Sequence, residues 1–379
     1  METIGIGIIG FGWFGELIAD TIVNTPSLCL VAIAEPNPER REWLGMKFPE
    51  VRPYHAAEQL LGDKNLSVVV VATPPVLHTK LGWQTLAANK HLFLEKPGAL
   101  NTNDMAKLKR LADSCGLKAS IDFVMRRNPL YFILKQLQDK SVFGQAERAL
   151  LENYAHDDHL PPNHWFWDLA TSGGIWIEHG VHFFDLTNWL FGPVNQVKTD
   201  SFRRSNETLI DRVVGTAVHD NGCIVSYYHG FTKPELFEDT SFNLVWEQAY
   251  AHISGWIPTD LSLDALITPE VEAYIKGQLM QEARTFLPGI GIELVSSNVQ
   301  HLPSLQPHRR NQDKEFRATA RLRLCLKLSS DRWTVYRSCI REGLLDLCRA
   351  AQNPDYEPAV TLNDAYQALK VAVAFAHGL

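Results

Sequence analysis

The sequence predicts two domains: an α/β domain on a parallel sheet over residues 1–123, then an α+β domain of mostly antiparallel strands over residues 124–379. Three observations carry this. Through the first third, short β-branched runs alternate with helix-like stretches, the pattern of a parallel sheet covered by helices on both faces. After Asp122, strand-like segments follow one another with little helix between them, as in an antiparallel sheet. The length, 379 residues, corresponds to two or three domains at about 150 residues each.

In the first domain the strands fall at residues 4–9, 28–34, 68–72 and 91–94. Val68 to Val71 is apolar throughout, as a central strand buried on both faces should be. Residues 104–115 read as a helix, with Met105, Leu108, Leu111, Ala112 and Cys115 on one face. In the second domain, strands are expected at 146–154, 194–203, 213–218, 223–228 and 241–253. A long strand at 316–328 alternates Ala318, Ala320, Leu322, Leu324, Leu326 and Leu328 with a basic stripe of Arg317, Arg321, Arg323 and Lys327. Residues 259–312 are the least patterned, with one helical piece at 269–279. A last helix, 363–377, is announced by Thr361 and Asp364.

Composition narrows the class. Hydrophobic residues make up 45% and charged residues 21%, enough apolar material for sizeable cores and far from disordered, collagenous or coiled-coil chains. A net charge of -7 lacks the basic field that drives non-specific nucleic-acid binding. The six cysteines are scattered without a C-x-x-C pair, which suits buried free thiols in a reducing compartment and neither zinc nor disulfides. No basic leader precedes the first strand, and 68–71 is too short to span a bilayer, so a cytoplasmic protein off the membrane is expected.

Gly10-Phe11-Gly12-Trp13-Phe14-Gly15 follows the first strand directly and opens a helix, the context that gives a G-x-G-x-x-G run its meaning. Gly10 allows the tight turn, Gly12 lets the backbone approach a pyrophosphate, and Gly15 lets the helix sit close to the strand. These are the marks of a Rossmann dinucleotide-binding domain. The helix N-terminus then offers N–H groups and a partial positive charge to the phosphates. Glu35, at the end of the second strand, stands where a carboxylate would accept bonds from the ribose hydroxyls and repel a 2′-phosphate. NAD is therefore the expected cofactor. NADP stays possible because Arg40 and Arg41 follow closely, although a solvated helix turn accounts for them as well.

Further motifs come in sequence: Ala72-Thr73-Pro74-Pro75-Val76-Leu77-His78, Glu95-Lys96-Pro97, then Gly173-Gly174 leading to Glu178-x-Gly180-x-His182-x-x-Asp185. Taken together they resemble the glucose–fructose oxidoreductase, inositol dehydrogenase and rhizopine-catabolism (Gfo/Idh/MocA) family across nearly the whole chain. The resemblance implies a large, open, mostly antiparallel sheet in the second domain and an active site in the cleft between domains. It implies Lys96 and His182 as the catalytic pair, with Thr73, Pro74, His78 and Glu95 lining the cofactor and a Lys96–Pro97 bond that is often cis. It also implies that the open sheet face is buried between subunits of a homodimer or homotetramer, where the basic stripe would meet acidic groups of the partner.

The chemistry of these residue types agrees with that assignment. Oxidising a secondary alcohol needs a base for the hydroxyl proton and a cation for the developing alkoxide. His182 suits proton transfer near neutrality, and Lys96 suits the alkoxide. Glu178, four residues before His182, shares its face on a helix and is placed to orient the imidazole or bind a second hydroxyl. The family commonly has Asp at that position, and Ile175 stands where a third glycine is usual, with His179 beside Glu178. Both departures bear on the substrate. Trp165 and Trp167 lie in the loop Leu160-Pro161-Pro162-Asn163-His164, where aromatic faces would stack on a sugar ring and Asn163, His164 and Asp168 would reach hydroxyls. Trp189 reads as core. A metal at His156-Asp157-Asp158-His159, with His164 nearby, is disfavoured because such loops are usually solvated. The expected activity is hydride transfer between a nicotinamide cofactor and a secondary hydroxyl of a sugar, cyclitol or derivative. The alternatives are a redox-neutral NAD-dependent glycosidase and a non-catalytic dinucleotide sensor.

Overall fold

The computed structural model describes residues 4–203, 209–302, 308–311 and 314–378, without the side chains of 308–311 and 314–316. The chain divides into two compact units, one comprising residues 4–124, 162–185 and 337–377, the other 125–161 and 186–336. In the first, β1 (Ile4–Ile9), β2 (Leu28–Ala34), β3 (Arg52–Tyr54), β4 (Val68–Val71), β5 (His91–Leu94) and β6 (Ala119–Ile121) form a parallel sheet ordered β3-β2-β1-β4-β5-β6. Connecting helices are α1 (Trp13–Val23), α2 (Pro38–Lys47), α3 (Ala57–Leu61), α4 (His78–Ala87) and α5 (Thr102–Cys115). Every strand expected here forms; β3 and β6, at three residues each, are too short to leave a pattern. All four valines of β4 are fully buried. The strand order reverses beside β1 and β4, so the loops after these strands flank a topological switch point, where open α/β sheets bind ligands.

Helix α5 begins two residues earlier than its apolar face predicts, because Asn101 accepts the Asp104 N–H and caps it. Its Cys115 is exposed, as is Cys29, so the expectation of uniformly buried thiols fails at those two positions.

The chain continues through α6 (Pro129–Asp139), β7 (Ala146–His156), α7 (Leu169–Ser172) and α8 (Val181–Phe191), which runs across the unit boundary after residue 185. It then forms β8 (Val194–Arg203), β9 (Ile210–His219), β10 (Ile224–Lys233), β11 (Asp239–Trp246), β12 (Ala249–Ser254) and β13 (Asp260–Ile267). Helices α9 (Pro269–Tyr274) and α10 (Met280–Phe286) lead to β14 (Ile292–His301), the pair β15 (His308–Asn311) and β16 (Lys314–Phe316), and β17 (Ala320–Leu328). Helices α11 (Arg332–Gln352) and α12 (Leu362–His377) complete the chain. The large sheet has the order β14-β17-β13-β12-β11-β7-β10-β9-β8 and is antiparallel except where β7 pairs with β10.

Four expectations need correction. The strand expected at 241–253 is a hairpin, β11 and β12, turning at Glu247 and Gln248, whose N–H groups bond to Gln145 and Phe143 carbonyls. The segment 259–312 is not mainly loop and helix, since it supplies β13 and β14. The long strand expected from Phe316 starts at Ala320, with β16 ending at Phe316. From Ala320 onward the alternation holds: Leu322, Leu324, Leu326 and Leu328 are buried. On the opposite face Arg321 makes a two-pronged bond to Asp264 of β13, and Arg323 reaches the same carboxylate, so part of the basic stripe is neutralised within the chain. Trp189 is half-buried rather than core, with Arg126 and Lys135 over its ring.

Candidate active site

The Gly-rich turn links β1 to α1. Gly10 has φ +98°, and a Cβ on it would run into the Ala72 carbonyl; a Cβ on Gly15 would meet the Gly10 carbonyl. Gly12 faces open space, and as N-cap of α1 it makes no side-chain cap bond, so the first N–H groups of that helix point outward. Phe11 is fully buried, whereas Trp13 is 65% exposed beside Phe14. Glu35 is buried and anchors the turn: its carboxylate accepts N–H bonds from Phe11 (2.8 Å) and Asn37 (2.9 Å). About four lone-pair directions on a carboxylate leave two for further donors. Arg40 donates to the Phe11 carbonyl (2.8 Å) and pairs with Glu16 (3.0 Å), while Arg41 donates to the Glu35 and Pro36 carbonyls. Both guanidiniums thus have acceptors within the chain.

After β4, Thr73 holds a buried hydroxyl that has no hydrogen-bond partner among the described residues, next to Pro74. An orphaned polar atom, an uncapped helix N-terminus and a turn that requires glycine at positions 10 and 15 together suit a dinucleotide with its pyrophosphate on α1. His78, the first residue of α4, is fully buried. Its Nδ1 lies 2.7 Å from the Pro97 carbonyl and its Nε2 2.6 Å from the Thr73 carbonyl. Burial lowers its pKa against the opposing effect of those two carbonyls. It therefore supports the cofactor loop from behind instead of offering it a free nitrogen.

Glu95 and Asp122 stand immediately after β5 and β6, whose register pairs Leu94 with Ile121, so the two carboxyls are brought side by side. Burial, followed by the Asp122 charge, raises the Glu95 pKa well above the usual carboxylate range. Glu95 also accepts the Lys96 N–H at 3.2 Å, and the Lys96–Pro97 bond is cis.

Lys96 and Glu178 form a half-buried ion pair at 2.7 Å, and the same ammonium donates to the Glu178 carbonyl at 3.2 Å. Glu178 belongs to a π-helical turn, Trp176–Gly180, that runs into α8. This turn follows Gly173 and Gly174, whose φ angles are +80° and +84°, and is held by Trp176, which is buried against Phe184 and Phe375. Such wide turns concentrate at functional sites, and sequence periodicity does not distinguish them from α-helix. His182 is buried and His179 is half-buried. Burial, then the Lys96 charge, pushes His179 down to about 3 and His182 well below 6.5; His179 adds a third, smaller effect on His182. Phe123 packs edge-on against His182, with ring centres 6.2 Å apart. The longer carboxylate at position 178 thus reaches the lysine, rather than serving only to orient His182 or bind a hydroxyl.

The aromatic loop is built differently from expectation. His164 caps a short helical turn, Trp165–Trp167, by accepting the Phe166 N–H, and Trp165 and Trp167 are half-buried around Phe166. Asn163 is exposed. Burial lowers the His164 pKa, and the Glu178 carboxylate is close enough to oppose that shift. Asp168 caps α7 through the Ala170 N–H and the Thr171 hydroxyl, so its carboxylate is already engaged. At the other candidate loop, His156 lies 3.3 Å from Glu238 and Asp158 accepts the Glu235 N–H. Among the described residues, no group of three or more His, Cys, Asp or Glu is placed to hold a metal, and no helix is long and apolar enough to cross a membrane.

Residues 4–123 match the GFO_IDH_MocA model, an oxidoreductase family with an NAD-binding Rossmann fold, and residues 134–249 match the GFO/IDH/MocA C-terminal domain. The chain is 25% identical over 213 residues to myo-inositol 2-dehydrogenase of Thermotoga maritima, covering 56% of this chain and 61% of that protein. It is 26% identical over 214 residues to scyllo-inositol 2-dehydrogenase (NADP(+)) of Bacillus subtilis, covering 56% of this chain and 58% of that protein. Both matches thus span less than two thirds of the relative. Its fold is similar to that of scyllo-inositol dehydrogenase from Lactobacillus casei, solved with NAD(H) and scyllo-inositol: TM-score 0.73 and 17% identity over 100% of this chain and 97% of that one.

Proposed function

The chain belongs to the GFO/IDH/MocA family of NAD-binding oxidoreductases, and from that premise we propose that it is a dehydrogenase exchanging a hydride between NAD and a secondary hydroxyl of a sugar or cyclitol. The observation that carries this reading is the grouping of Lys96, Glu178 and His182, a cation held by a carboxylate near a buried imidazole whose charged form burial disfavours. When bound, the nicotinamide supplies the two-electron acceptor for the hydrogen on the carbinol carbon. Lys96 donates to the substrate hydroxyl oxygen and stabilises the alkoxide that develops there. His182, kept neutral by burial and by the Lys96 charge, accepts the hydroxyl proton. Glu178 holds the ammonium in place, and burial beside Asp122 disfavours the charged form of Glu95, whose carboxyl accepts the Lys96 N–H.

Gly10 to Gly15, Glu35, Thr73 and Pro74 hold the cofactor in this reading. NAD is favoured over NADP because Glu35 lies at the β2 end while Arg40 and Arg41 are engaged by Glu16 and by backbone carbonyls. Asn163, His164, Trp165, Trp167 and His179 form the substrate side, with a polyhydroxy ring as ligand. The family resemblance supports a cytoplasmic homo-oligomer joined through the open face of the large sheet, and the domain division at 123/124 belongs to the same proposal.

The test is a panel of inositols and sugars with NAD+, followed by NADH absorbance, for the wild type and for His182→Ala. Turnover with one or more polyols, falling about 10²–10⁴-fold in the variant, is expected. Undiminished turnover in a Lys96→Ala, His182→Ala double variant refutes the site. Hydrolysis of an aryl glycoside without net NADH points to the glycosidase instead.

A further inference from the structure

His78 holds two short contacts that one neutral ring cannot satisfy at once. Its nitrogens face carbonyl oxygens on both sides, Pro97 at 2.7 Å and Thr73 at 2.6 Å. A carbonyl only accepts, and a neutral imidazole carries a single N–H. The two carbonyls belong to different loops: Thr73 follows β4 and carries the orphaned hydroxyl of the dinucleotide site, whereas Pro97 closes the turn that presents Lys96. His78 itself starts α4 and is fully buried, so no solvent donor replaces the missing proton. The charged groups that reach it are Lys96, which opposes a second proton, and Glu178, which favours one.

We propose that His78 is a positioning residue that couples the cofactor loop to the catalytic lysine through its single ring proton. With the proton on Nδ1 it holds the Pro97 carbonyl and the Lys96 turn; with the proton on Nε2 it holds the Thr73 carbonyl and the cofactor loop. The two contacts therefore serve different steps, dinucleotide binding and turnover, and are separable. This inference rests on the dehydrogenase reading for its consequences, while its geometry stands in unit one by itself.

Two near-isosteric variants separate the contacts, because an Asn amide reaches the place of Nδ1 and a Gln amide the place of Nε2. NAD+ dissociation constants are measured by calorimetry and kcat by NADH formation. His78→Asn should raise Kd more than it lowers kcat, and His78→Gln should lower kcat more than it raises Kd, each dominant effect about tenfold for one lost hydrogen bond. Equal effects on both quantities in both variants, or no effect, overturn the coupling. Should either variant fail to fold, 15N NMR of the wild-type ring decides. A neutral ring with one proton between pH 6 and 9 supports the proposal, and an imidazolium throughout that range overturns it. Failure of the wild type to bind NAD+ would instead refute the functional reading, leaving the NMR result to judge the clamp.

Discussion

Lys96 touches three parts of the candidate site at once. Its ammonium is held by Glu178, its N–H by Glu95, and its charge lowers both His179 and His182. The consequence for pH follows from the direction of the His182 shift. Alcohol oxidation needs the neutral imidazole, so the rate falls only as pH drops through the folded pKa, which lies below 6.5. Burial is the larger cause and the lysine the next, so Lys96→Met should raise the His182 pKa toward, but not past, its ordinary value. The acid limb of any residual oxidation moves up with it. Titrating the His182 Cε1 signal by NMR in wild type and variant checks this, and a downward movement would contradict the assigned electrostatics. At this scale much was legible. Lys96, Glu178 and His182 could each be singled out from the sequence, because chemistry-bearing residue types are visible one at a time, and Glu178 pairs with Lys96 in the fold. The partner of each group was not legible, since Glu178 reaching Lys96 depends on one methylene and on a turn that spacing does not reveal.

The elements show why some structure was readable and some was not. The first-unit strands announce themselves because burial on both faces forces apolar runs such as Val68 to Val71. The β11–β12 hairpin stays hidden because Glu247 and Gln248 carry none of the usual turn chemistry, and β14 because nearly all its residues are exposed, leaving no alternation. The π-helical turn at Trp176–Gly180 looks like ordinary helix in sequence, yet it sets the approach of Glu178 and His179. Its entry depends on Gly173, which has φ +80° and where a Cβ would press on the Ile177 side chain at 2.8 Å. Gly173→Ala is therefore expected to cost about 1–3 kcal/mol through the left-handed backbone alone. The same strain should shift Glu178 from Lys96. Chemical denaturation measures the first effect and turnover the second. A variant as stable and as active as wild type would show that the turn does not rely on this glycine.

At the scale of the whole molecule, β11, β12, β13 and β17 bury one face of the large sheet and leave the other half-buried or exposed. Asn243, Val245, Tyr250, His252, Ser262, Asp264, Arg323 and Cys325 line a shallow depression of 330 Å³ there, with Tyr250 64% exposed. Because Asp264 already holds Arg321 and Arg323, a second copy need not bring acidic groups to meet them, contrary to the expectation from the basic stripe. Those ion pairs are partly exposed, and as such contribute little alone. Excluding water around the two-pronged Arg321–Asp264 bond would strengthen it, and the exposed Tyr250 ring would supply apolar contact. If copies join through this face, placing a charge at Tyr250 should break the assembly while leaving the fold intact, since the side chain points away from the core. Tyr250→Asp is expected to weaken association at least about tenfold, the cost of burying one unpaired charge at roughly 1.4 kcal/mol or more. Sedimentation velocity at several protein concentrations reads this directly. A wild type that sediments as a monomer at tens of micromolar would remove the assembly altogether, whereas a variant that sediments as an associating wild type does would remove the sheet face as the interface and leave the edges β8 and β14 to be tested in its place.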